Sequence, residues 1–213
     1  MSNIEAAAAD ILKRLQRGEY FPQAWKGRFD LEDGYRVQLA IRDLRAEAGD
    51  PQAGWKVGLT AKAIQAMEGF DEPIFAVLYA SGALNSGATL RHADLLVPAF
   101  ENELCIVLRE RLAGPGVTAD MARRAIATVA PALEIVEKRG VLSDDPPLAI
   151  ADNLGQKAFV TGVPVALQPD VQLADATCEV HINGDVVAVG HATAVLDDPA
   201  NSIAWLANKL AAF

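Results

Sequence analysis

The chain has 213 residues, of which 51% are hydrophobic and 22% charged, and it carries a formal net charge of −9. This is ordinary globular composition, with length enough for one domain and a sizeable core, or for one domain plus a small helical appendage. So acidic a chain lacks the basic face that phosphate contacts need, which excludes nucleic acid as the main partner, and no apolar run is long enough to span a bilayer.

The N-terminus, MSNIEAAAADILKRL, has acids early and no basic start, apolar centre or small-residue cleavage site. It reads as a helix, not a secretory signal, and the expected location is the cytoplasm. Ser2 and Glu5 form a capping-box pattern ahead of Ile4, Ile11, Leu12 and Leu15, and Gly18 ends this helix. After a loop with Pro22, Asp30 and Asp33 open a second helix through about Ala48, stopped by Gly49, Asp50 and Pro51. The expected organisation is a helical cap over residues 1–50 and a β-rich domain over 51–213.

From Gly54 the pattern shortens. GWKVGLT is a short apolar run bounded by glycines, as in a buried strand, and Thr60 caps a short helix through about Met67. Strands are expected at Ile74–Leu78, Ala99–Leu108, Leu133–Glu137, Ala158–Thr161, Thr177–Ile182 and Val186–Val189, with one helix from Ala119 to about Val129. Asn183-Gly184 between two alternating runs signals a hairpin. Asp198-Pro199 starts a last helix whose face carries Ile203, Leu206 and Leu210. Helices first and a β-rich body after them make the fold class α+β. Cys105 and Cys178 lie in apolar strand-like runs without metal-site spacing and are expected as buried thiols.

Three acids stand out. Glu101 and Glu103 are two apart in the strand-like AFENELCIVL, so period-two geometry puts both on one face. Glu134 lies among Ala132, Leu133, Ile135 and Val136, where a buried carboxylate must be paired, protonated or on a metal. For the alternating pair alone, one wet sheet face is the plainer account. Three oxygen ligands without histidine would suit a hard cation, Mg²⁺ or Mn²⁺. Lys56, between Trp55 and Val57, is either a desolvated base and anion holder or a lysine snorkelling to the surface. Asp152-Asn153 is a turn or the edge of a site, Ser81 and Ser86 lie in a glycine-rich turn region, and His92, His181 and His191 share no spacing.

GWKVGLT (54–60), DEPIFAVL (71–78), FENELCIVL (100–108), GPGVT (114–118), PALEIVEKR (131–139), ADN (151–153) and AWLANKL (204–210) stand together in one order. As a set they resemble the 2-hydroxypenta-2,4-dienoate hydratases and 4-oxalocrotonate (2-oxo-3-hexenedioate) decarboxylases of the fumarylacetoacetate hydrolase superfamily. The resemblance implies a mixed β-roll with an N-terminal helical cap, assembled as a homo-oligomer. It implies Glu101, Glu103 and Glu134 as ligands of Mg²⁺ or Mn²⁺, and Lys56 as the group that binds substrate and transfers protons. The expected substrate-binding set is Lys56, Leu78, Ser81, Asp152 and Lys157. The implied reaction is hydration of 2-hydroxypenta-2,4-dienoate to 4-hydroxy-2-oxopentanoate in aromatic-compound catabolism. The alternatives are decarboxylation of 2-oxo-3-hexenedioate, with Arg139 or Lys157 receiving the distal carboxylate, and a non-catalytic homologue that binds 2-oxo acids or an active paralogue. Three departures bear on this. Ser81 stands where the family has an acid, Leu154-Gly155-Gln156-Lys157 lacks the family's small hydroxyl residue, and the chain is expected to be short at its C-terminus, because relatives continue past the AWLANKL helix.

Overall fold

Alanines decide how closely the first helices approach. In the computed structural model, which describes residues 3–213, α1 (Asn3–Leu15) buries Ala7, Ala8 and Ile11 against Val37 and Ile41 of α2 (Leu31–Glu47). Ser2 of the expected capping box lies outside the described residues. Asp30 caps α2 as its sequence suggests, accepting a 2.8 Å hydrogen bond from the Asp33 amide. A short helix, α3 (Lys62–Glu68), follows strand β1 (Gln52–Gly58). Then come β2 (Ile74–Tyr79), β3 (Ala83–Asn85), β4 (Pro98–Leu108), α4 (Ala119–Ala125), β5 (Ile126–Glu137) and α5 (Pro146–Ala151). The rest is β6 (Gln156–Thr161), β7 (Val165–Ala166), β8 (Thr177–Ile182), β9 (Asp185–His191) and α6 (Pro199–Leu210). The strands form β1-β2, β8-β9 and a sheet in the order β3-β6-β5-β4, with β7 also on β5.

The chain divides into two compact units. The first gathers the chain up to Gly58, Ile74–Glu101 and Leu133–Val160. Leu148 and Ala151 of α5 complete the α1–α2 core. Gly34 lets α5 in, because a Cβ there would stand 2.5 Å from the Pro147 carbonyl oxygen. The antiparallel β1-β2 ladder sets Lys56 opposite Ala76. Two buried carboxamides brace it: Gln38 Nε2 donates to the Phe75 carbonyl of β2 at 3.3 Å and to the Ile150 carbonyl of α5 at 2.8 Å, and Asn153 both donates to and accepts from the Val77 backbone at 2.8 Å. Asn153 thus acts on β2 as a neighbouring strand would, with its own backbone in the left-handed region at φ 59.

Asp152, 2% exposed, lies 3.5 Å from the Arg139 guanidinium. Burial pushes its carboxyl from 3.8 up to about 7, against the pull of Arg139.

The second unit holds Leu59–Pro73, Asn102–Ala132 and Thr161–Phe213. Here α4 and α6 pack through Ala122, Ala200, Ala204 and Ala207, and Asn208 bonds both backbone groups of Val117. The β8-β9 hairpin turns at Asn183 (φ 54) and Gly184 (φ 93), both in the left-handed region that a two-residue turn of this hand demands.

Three expectations change. The helix expected to run to about Val129 stops at Ala125, and β5 starts at Ile126, because Ile126, Thr128 and Val129 favour a strand. Thr60 does not cap α3, which follows Ala61 and has no side-chain cap bond. The cysteines are not buried: Cys105 is intermediate and Cys178 exposed, since most of β8 and β9 remains open on both faces.

Two outcomes follow for stability. Gly-to-Ala in an open helix gains about 1 kcal/mol, but the Cβ contact at Gly34 is with backbone that has no room to yield. Gly34→Ala should therefore lower the urea-unfolding free energy by roughly 1–3 kcal/mol; equal or higher stability would show the contact relaxes. For Asp152, a raised folded pKa means the native state holds its proton more tightly than the unfolded chain. That share of stability is full below 3.8 and is lost as pH climbs to about 7. The unfolding free energy of Asp152→Asn should fall less than the parent's across that window, and parallel curves would remove the assignment.

Candidate metal centre

Strand periodicity places Glu101 and Glu103 side by side on β4, both exposed, while Glu134 on β5 is 3% exposed. Each of the three offers a carboxylate oxygen, and these oxygens lie within 4.8 Å of one another. The Lys56 Nζ donates to Glu101 Oε2 at 3.1 Å and is ion-paired with Glu134 Oε2. With its side chain 11% exposed, Lys56 is not a lysine reaching for the surface, and Glu134 does not sit on a wet face. The wet-face reading keeps only Glu101 and Glu103.

Charge decides what the group fits. Like charges about 5 Å apart repel by roughly 3 kcal/mol at an effective dielectric near 20. One ammonium offsets one of three carboxylates and leaves a formal charge of two negatives, which matches a divalent cation. The donors are all carboxylate oxygens, with no thiolate or imidazole among them, which suits the hard ions Mg²⁺ and Mn²⁺.

The other expected site residues, Leu78, Ser81, Asp152 and Lys157, lie in the first unit. Half-buried Leu78 stands opposite Gly54 on the β1-β2 ladder. Ser81 donates from its amide (2.9 Å) and hydroxyl (3.0 Å) to Asp50, past the end of the ladder where Gln52 faces Tyr79. Burial would raise the Asp50 carboxyl, but the hydrogen bonds from Ser81 and Arg45 prevail and hold it below the usual range. Asp152 faces Arg139, and the Lys157 Nζ lies 3.5 Å from Glu137 Oε1. Lys56, Glu101, Glu103 and Glu134 thus come together, whereas Asp152 and Lys157 gather around a different acid. Glu137, 3% exposed, was not singled out from sequence. Its signal was the second acid of LEIVE, at an odd spacing from Glu134 that sends it to the other face of β5.

The fumarylacetoacetate (FAA) hydrolase C-terminal model matches residues 39–212. A 2-hydroxypent-2,4-dienoate hydratase of Pseudomonas putida is 34% identical over 206 residues, covering 93% of this chain and 91% of the relative. A 4-oxalocrotonate decarboxylase of Pseudomonas putida is 33% identical over 180 residues, 84% of this chain and 68% of the relative. Among solved structures, the 4-oxalocrotonate decarboxylase from Pseudomonas putida G7 complexed with magnesium and adipate superposes with a TM-score of 0.90 at 30% identity, over 98% of this chain and 81% of that one. On both the family match and these relatives, the chain belongs to the fumarylacetoacetate hydrolase family.

Proposed function

We propose that this protein is a divalent-metal-dependent lyase that adds water to a short unsaturated 2-oxo acid, converting 2-hydroxypenta-2,4-dienoate to 4-hydroxy-2-oxopentanoate. The observation that carries the reading is the convergence of Glu101, Glu103 and Glu134, with Lys56 wedged between two of them. The 2-hydroxypent-2,4-dienoate hydratase, matched over 91% of its length, supports the substrate.

Glu101, Glu103 and Glu134 would hold Mg²⁺ or Mn²⁺. When bound, the ion supplies Lewis acidity toward the carboxylate and keto oxygens of a 2-oxo acid. Lys56 supplies the mobile proton and a positive charge for an anionic substrate, which the net charge of −9 would otherwise repel. The atoms balance in two stages. The enol proton moves from oxygen to the terminal carbon, giving the conjugated 2-oxo acid; water then adds its oxygen at C4 and a proton at C3.

Decarboxylation of 2-oxo-3-hexenedioate is the second reading, supported by the 0.90 TM-score to a decarboxylase. It needs another cation for the distal carboxylate. Both nominees are already engaged, Arg139 by Glu137 and Asp152 and Lys157 by Glu137, which favours the monocarboxylate. The working form on this reading is a homo-oligomer, as the family resemblance implies, in the cytoplasm, as the N-terminal pattern suggests; no described helix is long and apolar enough to cross a membrane.

With Mg²⁺ present, the purified protein should remove the ultraviolet absorbance of 2-hydroxypenta-2,4-dienoate and release no CO₂ from 2-oxo-3-hexenedioate. CO₂ release would make it the decarboxylase, and turnover of neither substrate would leave a binding homologue. Glu103→Gln should weaken Mn²⁺ binding by more than the roughly 10–100-fold typical of losing an outer partner. Its metal-free unfolding should stay cooperative; Mn²⁺ bound as tightly as by the parent would exclude Glu103 as a ligand.

A further inference from the structure

A second buried ionic group lies in the first unit, and the chemistry above does not use it. Glu137 ends β5, and its Oε2 accepts from Arg139 Nε at 3.2 Å and Nη2 at 3.0 Å. Its Oε1 accepts from the Leu96 amide at 3.1 Å and faces Lys157. Arg139 also reaches the Gln156 carbonyl at 3.3 Å and Asp152 at 3.5 Å, and lies over the Tyr20 ring. Taking these ions out of water costs their hydration, and apolar packing would stabilise the same space as well or better. What such a group adds is fixed geometry.

Each member leads along a short, hydrogen-bonded path to one part of the metal centre. Glu137 shares β5 with Glu134. Leu96 precedes β4, which carries Glu101. Between them Val97 is held at φ 41, a strained conformation for a β-branched residue, with Leu96 bound by Glu137 on one side and the Val97 carbonyl accepting from the Lys138 amide at 3.4 Å on the other. Asp152 adjoins Asn153, whose carboxamide grips both backbone groups of Val77, next to the Ala76 that pairs with Lys56. The segments bearing Lys56, Glu101 and Glu134 are therefore tied to one guanidinium.

We propose that Glu137, Arg139 and Asp152 form a positioning network that sets the spacing of the metal carboxylates and Lys56, without touching metal or substrate. The proposal rests on the reading of Glu101, Glu103 and Glu134 as ligands. A metal site tolerates only about 0.2 Å in its ligand distances, so a slip of β4 against β5 acts on affinity directly.

The test is Mn²⁺ titration followed by electron paramagnetic resonance, alongside urea unfolding. Three variants are compared with the parent. Glu137→Gln keeps the size and the acceptor for Leu96 but removes the charge facing Arg139. Arg139→Lys keeps the charge but loses the fork that joins Glu137, Asp152 and Gln156, and it serves if Glu137→Gln does not fold. Gly34→Ala, in the α2–α5 contact, controls for general destabilisation. Roughly tenfold or greater loss of Mn²⁺ affinity is expected for the first two, with cooperative unfolding retained, and parental affinity for Gly34→Ala. Affinity within twofold of the parent in Glu137→Gln or Arg139→Lys overturns the network, as does an equal loss in Gly34→Ala. A parent that binds no Mn²⁺ overturns the ligand assignment and the network with it, which separates the two failures.

Discussion

The Glu134 carboxylate is the constraint on which the site depends. It is almost fully buried, so it has lost its hydration, and Lys56 pairs with it while also bonding Glu101. Glu101 and Glu103 bring further negative charge to the same spot. On the proposed reading, a hard divalent ion would meet this charge with the ligand chemistry carboxylates prefer. The same ion would reverse the local field in a protein whose overall charge repels anionic substrates.

Rigidity around this group comes from amides as much as from apolar packing. Lys56 sits on a two-stranded ladder, and a pair of strands alone is marginal in water. Gln38 and Asn153 brace it, Gln38 donating to the Phe75 carbonyl and Asn153 bonding both backbone groups of Val77. The Tyr35–Phe75 stack, with ring centroids 4.2 Å apart, seats α2 on the same strand. Asn208 repeats the device in the second unit, bonding both backbone groups of Val117.

Local features were legible in the sequence and tertiary ones were not. The pairing of Glu101 with Glu103 needs only the two-residue period of a strand, and the Asn183-Gly184 turn needs only backbone preferences. The burial of Glu134 and Lys56 depends on what covers them, which no local pattern states. The end of α4 was missed because the apolar pattern through Ile126–Val129 suits a helix or a strand, and pairing with β7 decided it. Cys178 looked like a core residue because its strand alternates, yet β8 is largely open. Nothing in the residues beside Glu137 announces its burial; the Leu96 amide and Lys157 of β6 meet its carboxylate only in the fold.

Why ions, and not aliphatic side chains, stand behind the proposed metal centre follows from what each kind of contact fixes. Apolar packing rewards burial with little regard for direction, so a strand moved slightly along its neighbour keeps most of its energy. A guanidinium shared by Glu137, Asp152 and the Gln156 carbonyl has planar, directed donors, and the same shift breaks several bonds among buried groups at once. The strain at Val97 points the same way, since a left-handed β-branched residue persists only where both sides of it are held. A site built from carboxylates on separate strands needs that directional control more than it needs the extra stability.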